Sequence, residues 1–328
     1  MNFHLEFTPK QFATTIHHQH KLMLVGSCFT ENIGTKLKQH KFSVLENPNG
    51  ILFNPISISN AVNSYIANKQ YKADELFYQN ESWNSWQHHS KFSHPNINDC
   101  LSAINQSQQA ASGFIVHANW LFLTVGSAFV YELSDGEVAA NCHKVPTDKF
   151  KKRLLSVEEV TATFNAMLQN LLAVNPTIKI IFTISPVRHL RDGFVENNRS
   201  KSTLIQAIHQ LTDANENVFY FPAYELVIDD LRDYRFYAED MVHPNYAATN
   251  YVWQKFVQAC INEPAQQLMK EINIINAAKN HKPFNPSSQQ HKKFLQTNFL
   301  KVIELNKQFP YINFEEEKVF FNESSTEI

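Results

Sequence analysis

The residues of this chain that could do chemistry together are a serine near its start and a histidine near its end. Ser27 comes directly after the apolar run Leu22–Val25 and Gly26, and a helix-like segment follows it. This order predicts a strand, a sharp turn and a helix, which lifts the hydroxyl above the sheet edge and aims backbone N–H groups at it. Asp240 and His243 are three residues apart, so one turn can bring both side chains to the same side. An aspartate that holds the Nδ1–H of an imidazole leaves Nε2 free to accept a hydroxyl proton, so the pattern predicts nucleophilic attack by Ser27.

Each of these signals also has a plainer explanation. Serine is a preferred N-cap, and from its own stretch alone Ser27 is better explained as a cap than as a nucleophile. An Asp-x-x-His sequence occurs often by chance. Its plainer explanation is an aspartate at the start of a helix and a histidine with ordinary hydrogen bonds. Ligands of parallel sheets bind beyond the carboxyl ends of the strands, however, and the two signals follow the first and the last predicted strand. This placement favours the catalytic interpretation.

The bulk composition bounds the class of protein. The 328 residues suffice for one large domain or two ordinary ones, and 43% of them are hydrophobic, which excludes general disorder. Lys and Arg number 29 against 31 Asp and Glu, and a formal charge of -2 gives no support for binding to nucleic acid or to a membrane surface. No signal peptide and no run of about 20 apolar residues is visible, so the expected location is the cytoplasm. The four cysteines lack metal-binding spacing, so no metal, cofactor or disulfide is expected.

Apolar runs alternate with helical patterns from Leu22 to Ala259. This alternation predicts an α/β fold, a three-layer α/β/α sandwich of the flavodoxin type around a mainly parallel five-stranded sheet. The region after residue 262 is rich in Lys, Gln and Asn, which predicts a catalytic domain of residues 1–262 and a helical extension of residues 263–328. The predicted strands are Leu22–Val25, Phe42–Leu45, Trp120–Val125, Ile178–Ile184 and Val218–Pro222, with a hairpin of Phe129–Leu133 and Val138–Cys142. The predicted helices are Glu31–Gln39, Asn54–Asn68, Asn98–Gly113, Ser156–Asn175, Ser200–Asn215, Pro244–Ala259 and an arm from about Lys270 to Gln308.

Several separated stretches resemble the signature of the GSCFA domain family, which is similar to the SGNH or GDSL-like hydrolases. They occur in the expected order and span about Lys21 to Cys260. They are Gly26-Ser27-Cys28-Phe29, Asn47–Pro55, Thr124–Ala128, Asn141–Pro146 and Ser185–His189, with Asp240-x-x-His243 last. The resemblance implies a three-layer fold, Ser27 as the nucleophile, His243 as its base and Asp240 as the residue that orients the base. It also implies that the N–H groups of Ser27 and Gly50 stabilise the oxyanion.

The other candidate residues concern substrate binding and the third oxyanion donor. The SGNH enzymes use an asparagine as that donor, and Ala128 stands near the corresponding position here, so Asn141 on the predicted hairpin is the candidate replacement. Gly126 ends a strand, where a residue without Cβ lets the backbone approach a ligand. The remaining candidates are Asn49 and His143 in the family-like stretches, and Arg188 and His189 after a strand end. Arg188 would bind an anionic substrate or, more simply, form a salt bridge with a nearby acid.

Together these signals predict a serine esterase that cleaves an O-acyl ester of a small molecule or carbohydrate, with an O-acetyl group on a carbohydrate as one candidate. The aromatic and His-rich loop Trp83–His94 would form one wall of the pocket or cover an exposed edge of the core. Two alternatives stay open. Cys28 could be the nucleophile, because it begins a helix, where thiol pKa values fall, or the chain could be a non-catalytic SGNH-like binding protein. Neither nucleic acid nor a membrane is an expected partner, and the oligomeric state is open.

Overall fold

Five parallel strands form the central sheet in a computed structural model that describes residues 4–326. The strands of the chain are β1 (Lys21–Gly26), β2 (Ser43–Glu46), β3 (Phe77–Gln79), β4 (Ser82–Asn84), β5 (Trp120–Val125), β6 (Phe129–Glu132), β7 (Lys151–Leu154), β8 (Lys179–Ile184) and β9 (Val218–Tyr220). The central sheet has the order β2-β1-β5-β8-β9, and β3–β4 and β6–β7 are separate antiparallel pairs.

Helices cover both faces of this sheet, which confirms the predicted three-layer α/β/α fold. The helices are α1 (Cys28–Gln39), α2 (Pro55–Ile66), α3 (Ile97–Ile115), α4 (Val157–Val174), α5 (Gly193–Ala214), α6 (Ala223–Glu225), α7 (Tyr246–Cys260), α8 (Glu263–Lys279), α9 (Gln289–Gln308) and α10 (Glu315–Thr326). Helices α2 to α5 pack on one face, and α1 and α7 pack on the other.

The two cores explain why the central strands are apolar along most of their length. Met23 and Val25 of β1 face helices α2 to α5, whereas Leu22 and Leu24 face α1 and α7. Successive side chains of a strand point to opposite faces, so a strand covered on both sides needs apolar residues at every position. The same holds for β5, in which all six residues are buried.

Three predicted elements differ from the observed ones. β6 pairs with β7 and not with Val138–Cys142; the Asp135-Gly136 turn forms, but beyond it only Glu132 and Val138 make a β-bridge. Helix α5 begins at Gly193, earlier than predicted, and its first turn exposes apolar side chains, which breaks the helical pattern. The predicted long loop before α3 contains the short β3–β4 hairpin.

The C-terminal helices α8, α9 and α10 enclose an apolar cluster of their own, which includes Ile272, Val302 and Phe314. Lys41 Nζ, just after α1, lies 2.8 Å from the buried Glu317 Oε1 on α10, so an ion pair joins these helices to the sheet domain. The division into residues 1–262 and 263–328 stays a prediction. None of the helices between residues 4 and 326 combines the length and apolar character that crossing a membrane requires.

Candidate active site

The turn after β1 is held by the two strands beside it. The N–H of Gly26 donates to Asn47 Oδ1 over 2.9 Å, and Asn47 follows β2. Gly26 has a φ of +146°, and a Cβ at this position would lie 2.2 Å from the carbonyl oxygen of Thr124 on β5. The turn therefore requires glycine, both for its backbone conformation and for its close approach to the neighbouring strand.

The hydroxyl of Ser27 acts as the N-cap of α1. Ser27 is 1% exposed, and its Oγ accepts the N–H of Phe29 at 3.4 Å. The N–H of Ser27 donates to the carbonyl oxygen of Thr124 over 3.2 Å. These are the contacts of a capping serine. The role of Ser27 as a nucleophile stays a prediction.

Cys28 is the more accessible of the two candidate nucleophiles. It is half-buried, whereas Ser27 is almost completely enclosed. Burial raises the pKa of the Cys28 thiol, and the carboxylate of Glu31 one turn along α1 raises it further. The N–H groups of Phe29 and Cys28 and the Lys201 ammonium act in the opposite direction and lower this pKa. Burial outweighs these groups, so the pKa of the Cys28 thiol is raised although the sulfur lies at the N-terminus of α1.

Asp240 and His243 are in direct contact in the loop before α7. Asp240 Oδ2 lies 2.5 Å from His243 Nδ1, and Asp240 Oδ1 accepts the N–H groups of Val242 and His243 at 3.0 Å each. These hydrogen bonds lower the pKa of Asp240 to about 2. His243 Nε2 has no hydrogen-bond partner among the residues described. The imidazole of His243 is half-exposed. Within the described residues it forms no hydrogen bond with Ser27 or Cys28.

The predicted backbone oxyanion donors are already paired within the chain. The N–H of Gly50 donates to the carbonyl oxygen of Asn47 over 2.8 Å, and that of Gly126 donates to Phe53 over 2.7 Å. The N–H of Ser27 is paired with Thr124, as described above. Gly50 is needed for its turn, because it has a φ of +80° and a Cβ there would lie 2.2 Å from the Cβ of His89. In this conformation none of these three N–H groups is free to bind an oxyanion.

Two predicted site residues hold a loop in place. Asn49 is buried, donates from Nδ2 to the carbonyl oxygen of Gln87 over 3.0 Å, and accepts the hydroxyl of Tyr65 at 2.7 Å. His143 is also buried and contacts the carbonyl oxygen of Ser85 through Nε2 at 2.8 Å. Both therefore position the segment around residues 85–89, and their predicted contacts with substrate stay predictions.

A cleft of about 400 Å³ opens beside Gly126 at the carboxyl edge of the sheet. Asn141 lines the cleft; its Oδ1 accepts the N–H of His143 at 2.8 Å, and its Nδ2 has no partner among residues 4–326. Its predicted role as the third oxyanion donor stays a prediction. Ser27, Cys28 and His243 are not among the lining residues. The lining residues are Phe53, Asn54, Ser127, Phe129, Tyr131, Ala139, Ala140, Asn141, Cys142, His189, Leu190, Arg191 and Asp192.

The loop Trp83–His94 does not line this cleft, and its role as a wall of the pocket around the nucleophile stays a prediction. Trp83 and Phe92 pack instead against Cys100 and Ile104 of α3, in a small apolar cluster. These two side chains therefore cover an edge of the core, and the segment between β6 and β7 lines the cleft.

His189 stands between Gly126 and the loop of His243. Its Nε2 is 3.4 Å from the place that a Cβ on Gly126 would occupy, and its ring meets the ring of Phe53 edge-on at 5.5 Å. Burial is the main cause that lowers the pKa of His189 to about 4, and the charges of Lys201 and His243 add to the effect. His189 is therefore neutral near pH 7.

Two arginines flank His189 without pairing with an acid. The guanidinium of Arg188 lies 5.7 Å from the ring centroid of Tyr237 in the loop that leads to His243. Arg191 lines the cleft, and its charge acts on the thiol of Cys142. No carboxylate in the described chain lies within ion-pair distance of either guanidinium. The simpler explanation for Arg188, a salt bridge to a nearby acid, is therefore wrong.

Sequence reasoning missed Lys201, a fully buried lysine under the site. Its Nζ donates to the carbonyl oxygens of Gly126 and Ser185, each over 2.6 Å. A periodicity signal was available, because Asn197, Lys201, Leu204 and Ile208 share the buried face of α5 at helical spacing.

No group of three or more His, Cys, Asp or Glu side chains in the described part of the chain is arranged to hold a metal ion.

Two family models match the sequence of this chain. The GSCFA family model matches residues 21–256, and the model of the GSCFA domain protein, C-terminal domain, matches residues 272–326. The first match covers the sheet domain and every candidate site residue. No curated protein sequence matches the chain.

Solved structures similar to this one include two esterases. A carbohydrate esterase family 3 protein from Talaromyces cellulolyticus has 11% identity and a TM-score of 0.37, over 77% of this chain and 99% of its own. An acetyl xylan esterase from the rumen bacterium Butyrivibrio proteoclasticus has 11% identity and a TM-score of 0.39, over 75% of this chain and 64% of its own. TM-scores this low carry no information about activity or substrate.

Proposed function

The chain belongs to the GSCFA family, and from this premise we propose that it is an acyl-ester hydrolase with its nucleophile in the turn after β1. The observation that carries the proposal is the contact between Asp240 Oδ2 and His243 Nδ1 at 2.5 Å, which leaves Nε2 without a partner in the described chain. An imidazole held in this way accepts the proton of a nucleophile and passes it to a leaving alcohol. The ring of Tyr237, in the loop that contains this pair, contacts the guanidinium of Arg188, which follows β8. We therefore take the pair to lie at the carboxyl edge of the sheet, where the turn after β1 also lies.

Cys28 is the nucleophile that the geometry favours, because it is accessible and Ser27 is enclosed as a cap. The Cys28 thiolate attacks the ester carbonyl carbon, the bond to the alcohol oxygen breaks, and protonated His243 gives its proton to that oxygen. Water then attacks the thioester, His243 takes a proton from the water, and the thiolate leaves. These steps need the imidazole within hydrogen-bonding distance of the reacting atoms, and such contacts are often long before substrate binds. Ser27 would follow the same steps through an oxygen ester.

Chemical labelling with mass mapping of the modified peptide tests this proposal. Iodoacetamide is expected to modify Cys28 and to stop the release of p-nitrophenol from p-nitrophenyl acetate. A Ser27→Ala control should be labelled and inactivated in the same way. A fluorophosphonate adduct on Ser27 would instead assign the chemistry to the serine and contradict the choice of Cys28.

A second candidate function is a binding protein without catalytic activity. The observation in its favour is that the N–H groups of Ser27, Gly50 and Gly126 all have acceptors within the chain. A protein of this kind would release no p-nitrophenol and would form no fluorophosphonate adduct. Ligand binding in the cleft would then be the remaining activity.

We also infer that the ester substrate carries a negative charge. Arg153, Arg199 and Arg235 each pair with a carboxylate, whereas Arg188 and Arg191 beside the cleft have no such partner in the described chain. Unpaired guanidinium groups at a cleft bind carboxylates and phosphates well, because their fork of donors matches these anions. A cleft of about 400 Å³ also has the size of a small-molecule site.

The Arg188→Gln/Arg191→Gln double variant tests the charge of the substrate. Its kcat/KM for an ester with a free carboxylate should fall about tenfold or more, since a hydrogen bond to a charged group contributes about 1.5–3 kcal/mol. The value for neutral p-nitrophenyl acetate should change less than about threefold, because that ester offers the arginines no anion. Arg199→Gln is the matched control, since this arginine lies on the exposed side of α5 and pairs with Glu196. Equal losses for the charged and the neutral ester would contradict an anionic substrate.

A further inference from the structure

A second cavity, of about 770 Å³, lies beside β9, the last strand of the central sheet. Its lining comes from three parts of the chain: the N-terminal segment of residues 7–13, β9 with the residues that follow it, and His209 of α5. It shares no lining residue with the cleft beside Gly126, and none of the candidate site residues lines it. Its volume is in the range of small-molecule binding sites, roughly 300–1,000 Å³.

The N-terminal segment is fixed at both ends of this cavity. The N–H of Phe7 donates to Oδ2 of the buried Asp230 over 3.2 Å, and the N–H of Phe12 donates to the carbonyl oxygen of Ala259 over 2.9 Å. The ring of Phe12 also stacks on that of Phe219 in β9, with the two centroids 5.0 Å apart. The residues between these two anchors therefore form a fixed wall of the cavity.

The side chains around the cavity are largely aromatic. Phe7 and Phe12 come from the N-terminal segment, and Phe219 and Tyr220 come from β9. The ring of His209 lies 4.8 Å from that of Tyr220, measured between centroids. Aromatic rings bury the apolar part of a ligand, and their faces also attract organic cations. These walls therefore suit either a neutral apolar ligand or an organic cation.

Glu225 distinguishes between these two kinds of ligand. Its carboxylate lines the cavity and accepts the hydroxyl of Tyr220, which lies 2.8 Å from both oxygens. No lysine, arginine or histidine nitrogen of residues 4–326 lies within ion-pair distance of this carboxylate. The buried Glu317, in contrast, is paired with Lys41 at 2.8 Å. A carboxylate has about four acceptor positions, so Glu225 can accept further donors from a ligand.

The groups around Glu225 leave its negative charge uncompensated. Burial is the main cause that raises the pKa of Glu225, and the charge of Asp229 adds to the rise. The hydroxyl of Tyr220 and the charge of His209 lower this pKa without offsetting burial. Burial and the charge of Glu225 raise the pKa of Tyr220, so the phenol keeps its proton and donates. A cation would compensate the carboxylate, whereas a neutral apolar ligand would only remove water from it.

We propose that this cavity binds a small organic ammonium ion with an apolar body, at a site separate from the candidate active site. The ammonium group donates to the carboxylate of Glu225, and the aromatic rings of the N-terminal segment and β9 enclose the apolar body. Binding at this site involves no covalent step. It does not depend on the proposed esterase activity.

Three indole compounds that differ in charge test this proposal by isothermal titration calorimetry of the full-length protein. Tryptamine, a cation near pH 7, should bind at least about tenfold more tightly than the neutral alcohol tryptophol, because only the cation pairs with a carboxylate. The anion indoleacetate should bind more weakly still, because Glu225 repels it. Equal affinities for the three compounds, or no binding of tryptamine at millimolar concentration, would overturn the proposal.

Variants locate the binding site. Glu225→Gln should weaken tryptamine binding about tenfold and remove the preference over tryptophol, since the amide keeps the shape and loses the charge. Glu216→Gln is the matched control, because Glu216 is exposed and does not line the cavity. A folded Glu225→Gln protein with wild-type affinity for tryptamine would overturn the proposal, and if this variant does not fold, the order of the three affinities in the wild-type protein decides.

The Arg188→Gln/Arg191→Gln double variant separates this cavity from the cleft beside Gly126. It should bind tryptamine as the wild-type protein does, because neither arginine lines the cavity beside β9. A loss of tryptamine binding in this variant would place the ligand in the cleft and overturn the separate site. Calorimetry needs no turnover, so a protein without esterase activity can still pass or fail these tests.

Discussion

The Cys28→Ala variant is expected to hydrolyse p-nitrophenyl acetate about 10⁴-fold more slowly than the wild-type protein, measured as kcat. Removal of a covalent nucleophile leaves only substrate binding and the electrostatic stabilisation that the rest of the site supplies. Steady-state release of p-nitrophenol measures the loss, and circular dichroism shows whether the variant is folded.

Ser27→Ala is the matched control for this variant, because the two positions are adjacent in one turn. Loss of the capping hydroxyl should lower the free energy of unfolding by about 1 kcal/mol, and kcat should stay within about tenfold of the wild-type value. The opposite pattern, with activity lost in Ser27→Ala and kept in Cys28→Ala, would assign the reaction to the serine. A Cys28→Ser variant adds a third measurement, because serine keeps the shape of the side chain and replaces the thiol with a hydroxyl.

Replacing either member of the pair before α7 should have the second largest effect. We expect His243→Ala and Asp240→Asn each to lower kcat about 10³-fold, since general base catalysis and the orientation of the imidazole contribute losses of this order. The pKa of Asp240 is lowered to about 2, so its carboxylate is charged above that pH and its contact with His243 is lost only as the pH falls through about 2.

The Cys28→Ala/His243→Ala double variant checks that these residues act as one unit. Groups that share one step give non-additive losses, so the double variant should be no slower than Cys28→Ala alone. If the two losses multiplied, His243 would act independently of the thiol, and the proposed proton transfer would be wrong. Thermal denaturation of all variants provides the control for stability.

Much of the fold was predictable because it depends on local signals. The run Trp120–Val125, apolar except for Thr124, predicted β5 with the observed bounds, since a strand covered on both faces is mostly apolar. The capping box of Ser156 and Glu159 predicted the start of α4, and both of its hydrogen bonds are present. β7 was missed because Lys151–Leu154 lies in an exposed two-stranded pair and carries no apolar pattern.

The site was predictable only in outline. Topology places the ends of β1, β2, β5 and β8 at one edge of the sheet, so candidates could be named wherever a strand ends. Hydrogen-bond partners could not be predicted in this way. The N–H of Gly50 pairs with Asn47 within a local turn, and Arg188 stacks on Tyr237 in place of an acid, and both outcomes depend on how separate segments pack.

The sequence by itself determined the order of strands and helices, the glycine turn after β1 and the aspartate and histidine three residues apart, because these features depend on neighbours in the chain. Only the tertiary structure decided that Ser27 is enclosed while Cys28 is accessible, and that Lys201 from α5 lies under the ends of β5 and β8. The physical reason is that exposure and electrostatic environment are set by residues far away in the chain. Burial removes the water that would otherwise screen a charge, and no local pattern records which side chains lose it.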